Sequence, residues 1–228
     1  MPSKVTPSAK DTPVAGGRER LLQAALRLGA HTRSFNSLGL RELAREAGLH
    51  HTAFYRHFSS MDDLAEALVE PLTQELRAGM RRTRRSVAGP TAELARQTME
   101  HYFNYVLRHP GGIIFFAREL HGALPSLRAA LRNVLDVMAS ELEEDLRAIQ
   151  LLPELAGDSS QSISQVAQLI TNHTLYAALD FIEQPQRRTE IRDRTIQFIQ
   201  WIVEGARQSR GIGTFEAGSP APKIKAAV

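Results

Sequence analysis

From about residue 18 to residue 210, apolar residues recur every three or four positions, and no stretch of more than a few residues alternates strictly between apolar and polar. The pattern predicts helices throughout and no sheet. A first helix is expected over Arg18 to Thr32, with Leu21, Leu22, Ala25, Leu26 and Leu28 as its apolar stripe. After a loop at Arg33 to Leu38, a two-turn helix from Leu40 to Ala47 starts behind Gly39 and stops at Gly48, and another runs from His51 to Phe58. Two short helices joined by one Gly-containing turn predict a helix-turn-helix. A fourth helix opens after Ser59 and Ser60, with Asp62 and Asp63 at its positive end, and extends to about Val87. Beyond Gly89 and Pro90, the clearest internal break, the helical period returns over Thr91 to Arg108, Ile113 to His121, Pro125 to Leu151, Ser159 to Glu183 and Arg187 to Arg210. His109 to Gly112 reads as a stop, and Gln184 to Gln186 is a connection short enough to force antiparallel neighbours.

The expected architecture is therefore all-α. Residues 1–17 and 211–228, rich in Gly, Pro, Ser and Ala without any period, are read as a disordered arm and tail. Residues 18–64 are expected to form a three-helix, helix-turn-helix domain, and 65–210 a second helical domain.

Composition narrows the function classes. A chain of 228 residues with 43% hydrophobic and 23% charged residues buries a substantial core and matches an ordinary globular protein. The longest apolar runs, such as Gly111 to Ala117, are too short to span a bilayer, so no membrane partner is expected. Met1 to Gly17 has no apolar run like that of a secretory signal, and the chain has no cysteine, which removes disulfides, thiol catalysis and Cys-type zinc sites. A cytoplasmic protein without metal or cofactor is expected. Charge is uneven: residues 1 to 89 hold 14 Lys or Arg against 9 Asp or Glu, and residues 90 to 228 hold 14 against 16. A basic N-terminal part joined to a near-neutral helical part suits a nucleic-acid binder with a second, separate function.

The most informative segment is SLGLRELAREAGLHHTAFYRHFSSMDDL, Ser37 to Leu64. Leu43, Ala44, Ala47, Leu49, Phe54 and Phe58 are spaced to form a small core. His51, Thr52, Tyr55 and Arg56 are left facing outward on the second short helix, where His and Thr can meet base edges in a major groove and Tyr and Arg can reach phosphates. Arg41 stands at the groove edge.

The run from Leu40 to Phe58 followed by Asp62-Asp63-Leu64 resembles the DNA-binding domain of TetR-type transcriptional repressors over about Arg18 to Leu68. The resemblance implies a homodimeric repressor of a palindromic double-stranded DNA operator, with a C-terminal domain that binds a small molecule. It implies DNA contacts at Arg41, His51, Thr52, Tyr55 and His57, with Arg56 added for its charge. Where the family usually carries a lysine after this segment, the chain has Met61, and Lys4, Lys10, Arg18 and Arg20 are candidates to supply that phosphate contact. Within the family the wording is most similar to the FabR and DesT branch, repressors of unsaturated fatty acid synthesis, which implies a long acyl chain on CoA or a similar carrier as effector.

For the second domain the expectations are an elongated apolar cavity lined by Phe103, Ile114, Phe115 and Phe116 with Arg118 at a ligand head group, and a dimer interface on the last two helices through Leu169, Leu175, Leu179, Ile199, Trp201 and Ile202. Plain core packing and a structural Arg118–Glu119 ion pair are the competing readings. Arg81, Arg82, Arg84 and Arg85 on one side, and Glu141, Glu143, Glu144 and Asp145 on the other, read as solvated charge runs. No G-x-S-x-G, H-E-x-x-H or P-loop occurs, so an enzyme is not expected; the alternative to a regulator is a helical adaptor without specific DNA binding.

Overall fold

The computed structural model describes residues 16–31, 34–86, 92–152 and 161–208. The arm before residue 16 with Lys4 and Lys10, the break at Gly89 and Pro90, and the tail lie outside the described residues. Among the described residues the α-helices are α1 (Gly17–His31), α2 (Leu40–Glu46), α3 (His51–Phe54), α4 (Met61–Ser86), α5 (Ala92–Arg108), α6 (Pro110–Glu119), α7 (Pro125–Ala148), α8 (Gln161–Glu183) and α9 (Arg188–Gln208), with no strand. None of these helices is long and apolar enough to cross a membrane.

Local chemistry sets the boundaries. The turn after α2 is made at Gly48, whose φ of +65° lies in the left-handed region that glycine enters without steric cost. The expected helix over His51 to Phe58 closes after Phe54, because the next amides bond three residues back, Arg56 N–H to the Ala53 carbonyl at 3.3 Å and His57 N–H to the Phe54 carbonyl at 2.9 Å. At the start of α4, Ser60 Oγ accepts the Asp63 N–H at 3.1 Å, while the Asp63 carboxylate takes the Ser59 N–H at 2.8 Å and the Ser59 hydroxyl at 3.0 Å. This reciprocal cap satisfies amides that a helix start leaves free. Pro110 begins α6 instead of stopping it, since at the first helical position its missing N–H costs nothing.

Contacts group the described chain into two compact units. One comprises the residues up to Glu75 together with Arg108–Val134, and the other comprises Leu76–Leu107 together with the residues from Leu135 onward. The division falls within α4 and α7 because α6 belongs by its packing to the N-terminal helices. In the first unit Leu21, Phe35, Leu43, Phe54, Leu64 and Phe115 are fully buried or nearly so. Gly29 on α1 lets Phe115 of α6 approach so closely that a Cβ there would sit 2.7 Å from its ring, and Phe115 stands edge-on to Phe35 with centroids 6.1 Å apart. Burying one such phenyl group contributes about 1.5–3 kcal/mol. In the second unit α8 and α9 form the expected antiparallel pair. The Tyr102 hydroxyl donates to the Thr174 carbonyl at 2.9 Å, and Phe103 stacks on Phe181 at 4.3 Å.

Candidate functional site

The reader is built from α1, α2 and α3. Phe54 and Phe58 point inward, 0% and 3% exposed, which anchors the short helix and turns the opposite side outward. Tyr55 is 64% exposed, a degree of exposure that no core aromatic shows, and Arg41, Thr52, Arg56 and His57 are exposed beside a half-buried His51. The six residues expected to contact DNA thus all lie on or next to the helix-turn-helix with surface available. The Thr52 hydroxyl is engaged by His50 Nδ1 at 2.9 Å, and the His50 and His51 rings lie 4.3 Å apart, so His50, which periodicity alone does not single out, sets the posture of both neighbours. Arg18 lies over the Phe58 ring at 5.3 Å, and its charge helps hold the Asp63 carboxyl below the ordinary range, after the Ser59 N–H and hydroxyl bonded to it. Arg20 is only half exposed, with Nε buried and unpartnered.

One segment outside the reader, α6, fixes its position within the first unit. Glu119 of α6 is completely buried, and its Oε1 accepts the Phe35 N–H at 2.9 Å, in the turn that leads into α2. Arg118 donates to the same carboxylate at 3.2 Å and to the Gly29 carbonyl at the end of α1. Arg118 therefore makes the structural ion pair, and Phe115 makes the α6–α1 packing described above.

The second unit holds a cavity of about 480 Å³. Its walls come from α4, α5, α7, α8 and α9, among them Met80, Thr98, Met99, Tyr102, Met138 and Ile170, with Trp201 at its edge. Phe103, Ile114, Phe115, Phe116 and Arg118 lie outside this cavity. On the second unit's stretch of α4, the arginine run faces the acidic run of α7: Arg77 pairs with Glu141 at 2.7 Å, Arg81 with Glu144 at 2.5 Å, and Arg84 and Arg85 both reach Asp145 at 2.7 and 3.1 Å. Asp145 is 1% exposed, so Arg81, Arg84 and Arg85 are neutralised across the two helices, while Arg82 is exposed and Glu143 pairs with Arg147 along α7.

Against known proteins, residues 21–68 match the family described as "Bacterial regulatory proteins, tetR family". Over these residues the chain is similar to the N-terminal domain of TetR-family regulators. Solved TetR-type structures are similar to it over both domains. One is a TetR-family transcriptional regulator from Streptomyces coelicolor, at 18% identity and a TM-score of 0.61, with 83% of this chain and 81% of that one covered. A second is FadR from Bacillus subtilis in complex with stearoyl-CoA, at 16% identity and a TM-score of 0.64, covering 82% and 98%. A third is FadR from Thermus thermophilus, a TetR-family repressor in complex with lauroyl-CoA, at 19% identity and a TM-score of 0.58, covering 90% and 100%. At these identities the likeness establishes the fold: a TetR-type helix-turn-helix domain followed by a helical C-terminal domain.

The last two helices carry the residues expected at a dimer interface. Leu169 and Trp201 are 50% and 63% exposed, Leu179 and Ile202 are half-buried, and Leu175 and Ile199 are buried within the unit. Tyr176, about two helical turns beyond Leu169 and 62% exposed, is the surface aromatic of these helices that the sequence reading missed. Its spacing from Leu169 was the available signal.

Proposed function

We propose that the protein is a homodimeric repressor that binds a palindromic operator and whose operator affinity is set by a small apolar effector held in the cavity of the second unit. The observation that carries this reading is the pairing of an exposed Tyr55–Arg56 surface on a helix-turn-helix with a 480 Å³ cavity elsewhere in the same chain. Base contacts are assigned to His51 and Thr52, and phosphate contacts to Arg41, Tyr55, Arg56 and His57. The half-exposed apolar residues of α8 and α9 supply the contact between copies, and two copies then present two readers to two half-sites.

An acyl chain is the effector body that the relatives support, since both FadR structures named above hold an acyl-CoA. The Phe103 to Phe116 run is spent on packing, so the effector site is assigned to the cavity. Met80 and Arg84 on the cavity wall belong to α4, and α4 begins at Met61, three residues after Phe58 of the reader. Pro71 in the middle of α4 removes one interior backbone donor, which weakens the helix there. An occupant that favours one arrangement of α4 over another shifts operator affinity by its differential affinity for the two. The test is a titration of saturated and unsaturated acyl-CoA into the operator-bound protein, read by fluorescence anisotropy of labelled duplex. A change in affinity that depends on chain length supports the reading, and none at any length removes the acyl effector.

A further inference from the structure

We infer that the cavity takes an apolar molecule bearing an uncharged oxygen, such as an ester, ketone or amide, and rejects the corresponding carboxylate; this rests on the proposal that the cavity is the effector site. Two observations carry it. First, the cations on the cavity wall are already matched. Arg84 is 7% exposed and bonded through Nε to the buried Asp145, while Arg207 donates through Nε and Nη2 to the Leu151 carbonyl at 3.3 and 2.9 Å and lies 3.7 Å from Glu204. A carboxylate entering here loses its hydration and gains no free cation, which is the costly case of charge burial. The Tyr102 hydroxyl stays neutral as well, because burial raises its pKa.

Second, the Thr98 side chain lies on this wall, 6% exposed, and its hydroxyl has no hydrogen-bond partner. A helical threonine ordinarily settles its hydroxyl on a carbonyl of the preceding turn, as Thr73 and Thr195 do here at 3.1 and 2.7 Å. Thr98 leaves a donor that a neutral carbonyl oxygen can satisfy after one χ1 rotation. The rest of the lining suits variable bodies, since three of the chain's five methionines, Met80, Met99 and Met138, stand on it.

The experiment uses the full-length protein and two probes of equal chain length, methyl decanoate and decanoate at pH 8. Binding is read from the fluorescence of Trp201, the only tryptophan and an edge residue of the cavity. The ester is expected to bind at least about tenfold more tightly than the carboxylate. T98V, which keeps the volume and removes the hydroxyl, is expected to weaken the ester about fivefold and leave decanoate unchanged, whereas T98S keeps the wild-type preference. Decanoate binding as tightly as the ester, or T98V binding the ester like wild type, overturns the inference and leaves the effector site standing. Failure of both probes to bind removes the effector site and the inference together.

Discussion

Glu119→Ala is expected to be among the most damaging single changes in the first unit, although it lies outside the proposed DNA and effector contacts. The carboxylate is 0% exposed and accepts from the Phe35 amide at 2.9 Å and from Arg118 at 3.2 Å. A hydrogen bond to a charged acceptor contributes about 1.5–3 kcal/mol, and its loss leaves the buried Phe35 N–H without a partner. The Arg118 share is smaller, because that side chain is 33% exposed and water can replace part of the pairing. The total comes to about 3 kcal/mol, or roughly 6–12 °C in Tm for a chain of this size. Glu119→Gln keeps an acceptor at the same place and should cost about half as much. Urea denaturation followed by far-ultraviolet circular dichroism measures both. Because Phe35 leads directly into α2, operator affinity should fall alongside stability. A Glu119→Ala protein within about 1 kcal/mol of wild type would refute the claim that this carboxylate fixes the turn before the reader.

Tyr55→Ala or Arg56→Ala should weaken binding to all duplexes and flatten the dependence of affinity on salt, whereas Thr52→Ala should cost about 1–3 kcal/mol on the preferred site alone; anisotropy titrations at several salt concentrations separate the two classes. Ser60→Ala should lower stability by about 1 kcal/mol through the lost cap of α4. Asp63 in the same cap has its folded pKa depressed, so its contribution is fully present above the ordinary carboxylate pKa and is lost as pH falls through the folded value; Asp63→Asn should therefore reduce the acid-side loss of stability in pH-dependent melts. Asp145→Asn should destabilise by about 3–5 kcal/mol, since it leaves the buried Arg84 without its counter-charge, and thermal unfolding reads this directly.

The reader was legible in the sequence because its elements are short and sharply punctuated. Gly39, Gly48 and the Ser59-Ser60 pair bracket them, and an outward Tyr55 between inward Phe54 and Phe58 leaves one surface free. The cavity was not legible for a physical reason. Bulky apolar residues at helical spacing look alike whether they pack against a neighbour or border empty space, so Phe115 and Phe103 resembled cavity walls while one fills the gap over Gly29 and the other stacks on Phe181. The actual walls combine apolar residues at helical spacing, such as Tyr102, Met138, Leu142 and Leu146, with threonines such as Thr98 that periodicity does not mark out. Pairing between distant charge runs was hidden in the same way. Arg84 and Asp145 are 61 residues apart, and each alone reads as a solvated charge.

Selection of binding sites from random duplex DNA with the purified full-length protein tests the central claim most directly. Two-fold symmetry predicts an enriched inverted repeat whose halves lie about one helical turn or more apart, with enrichment lost in the Tyr55→Ala protein. Recovery of sequences without a repeat, or of the same sequences by the Tyr55→Ala protein, would contradict it.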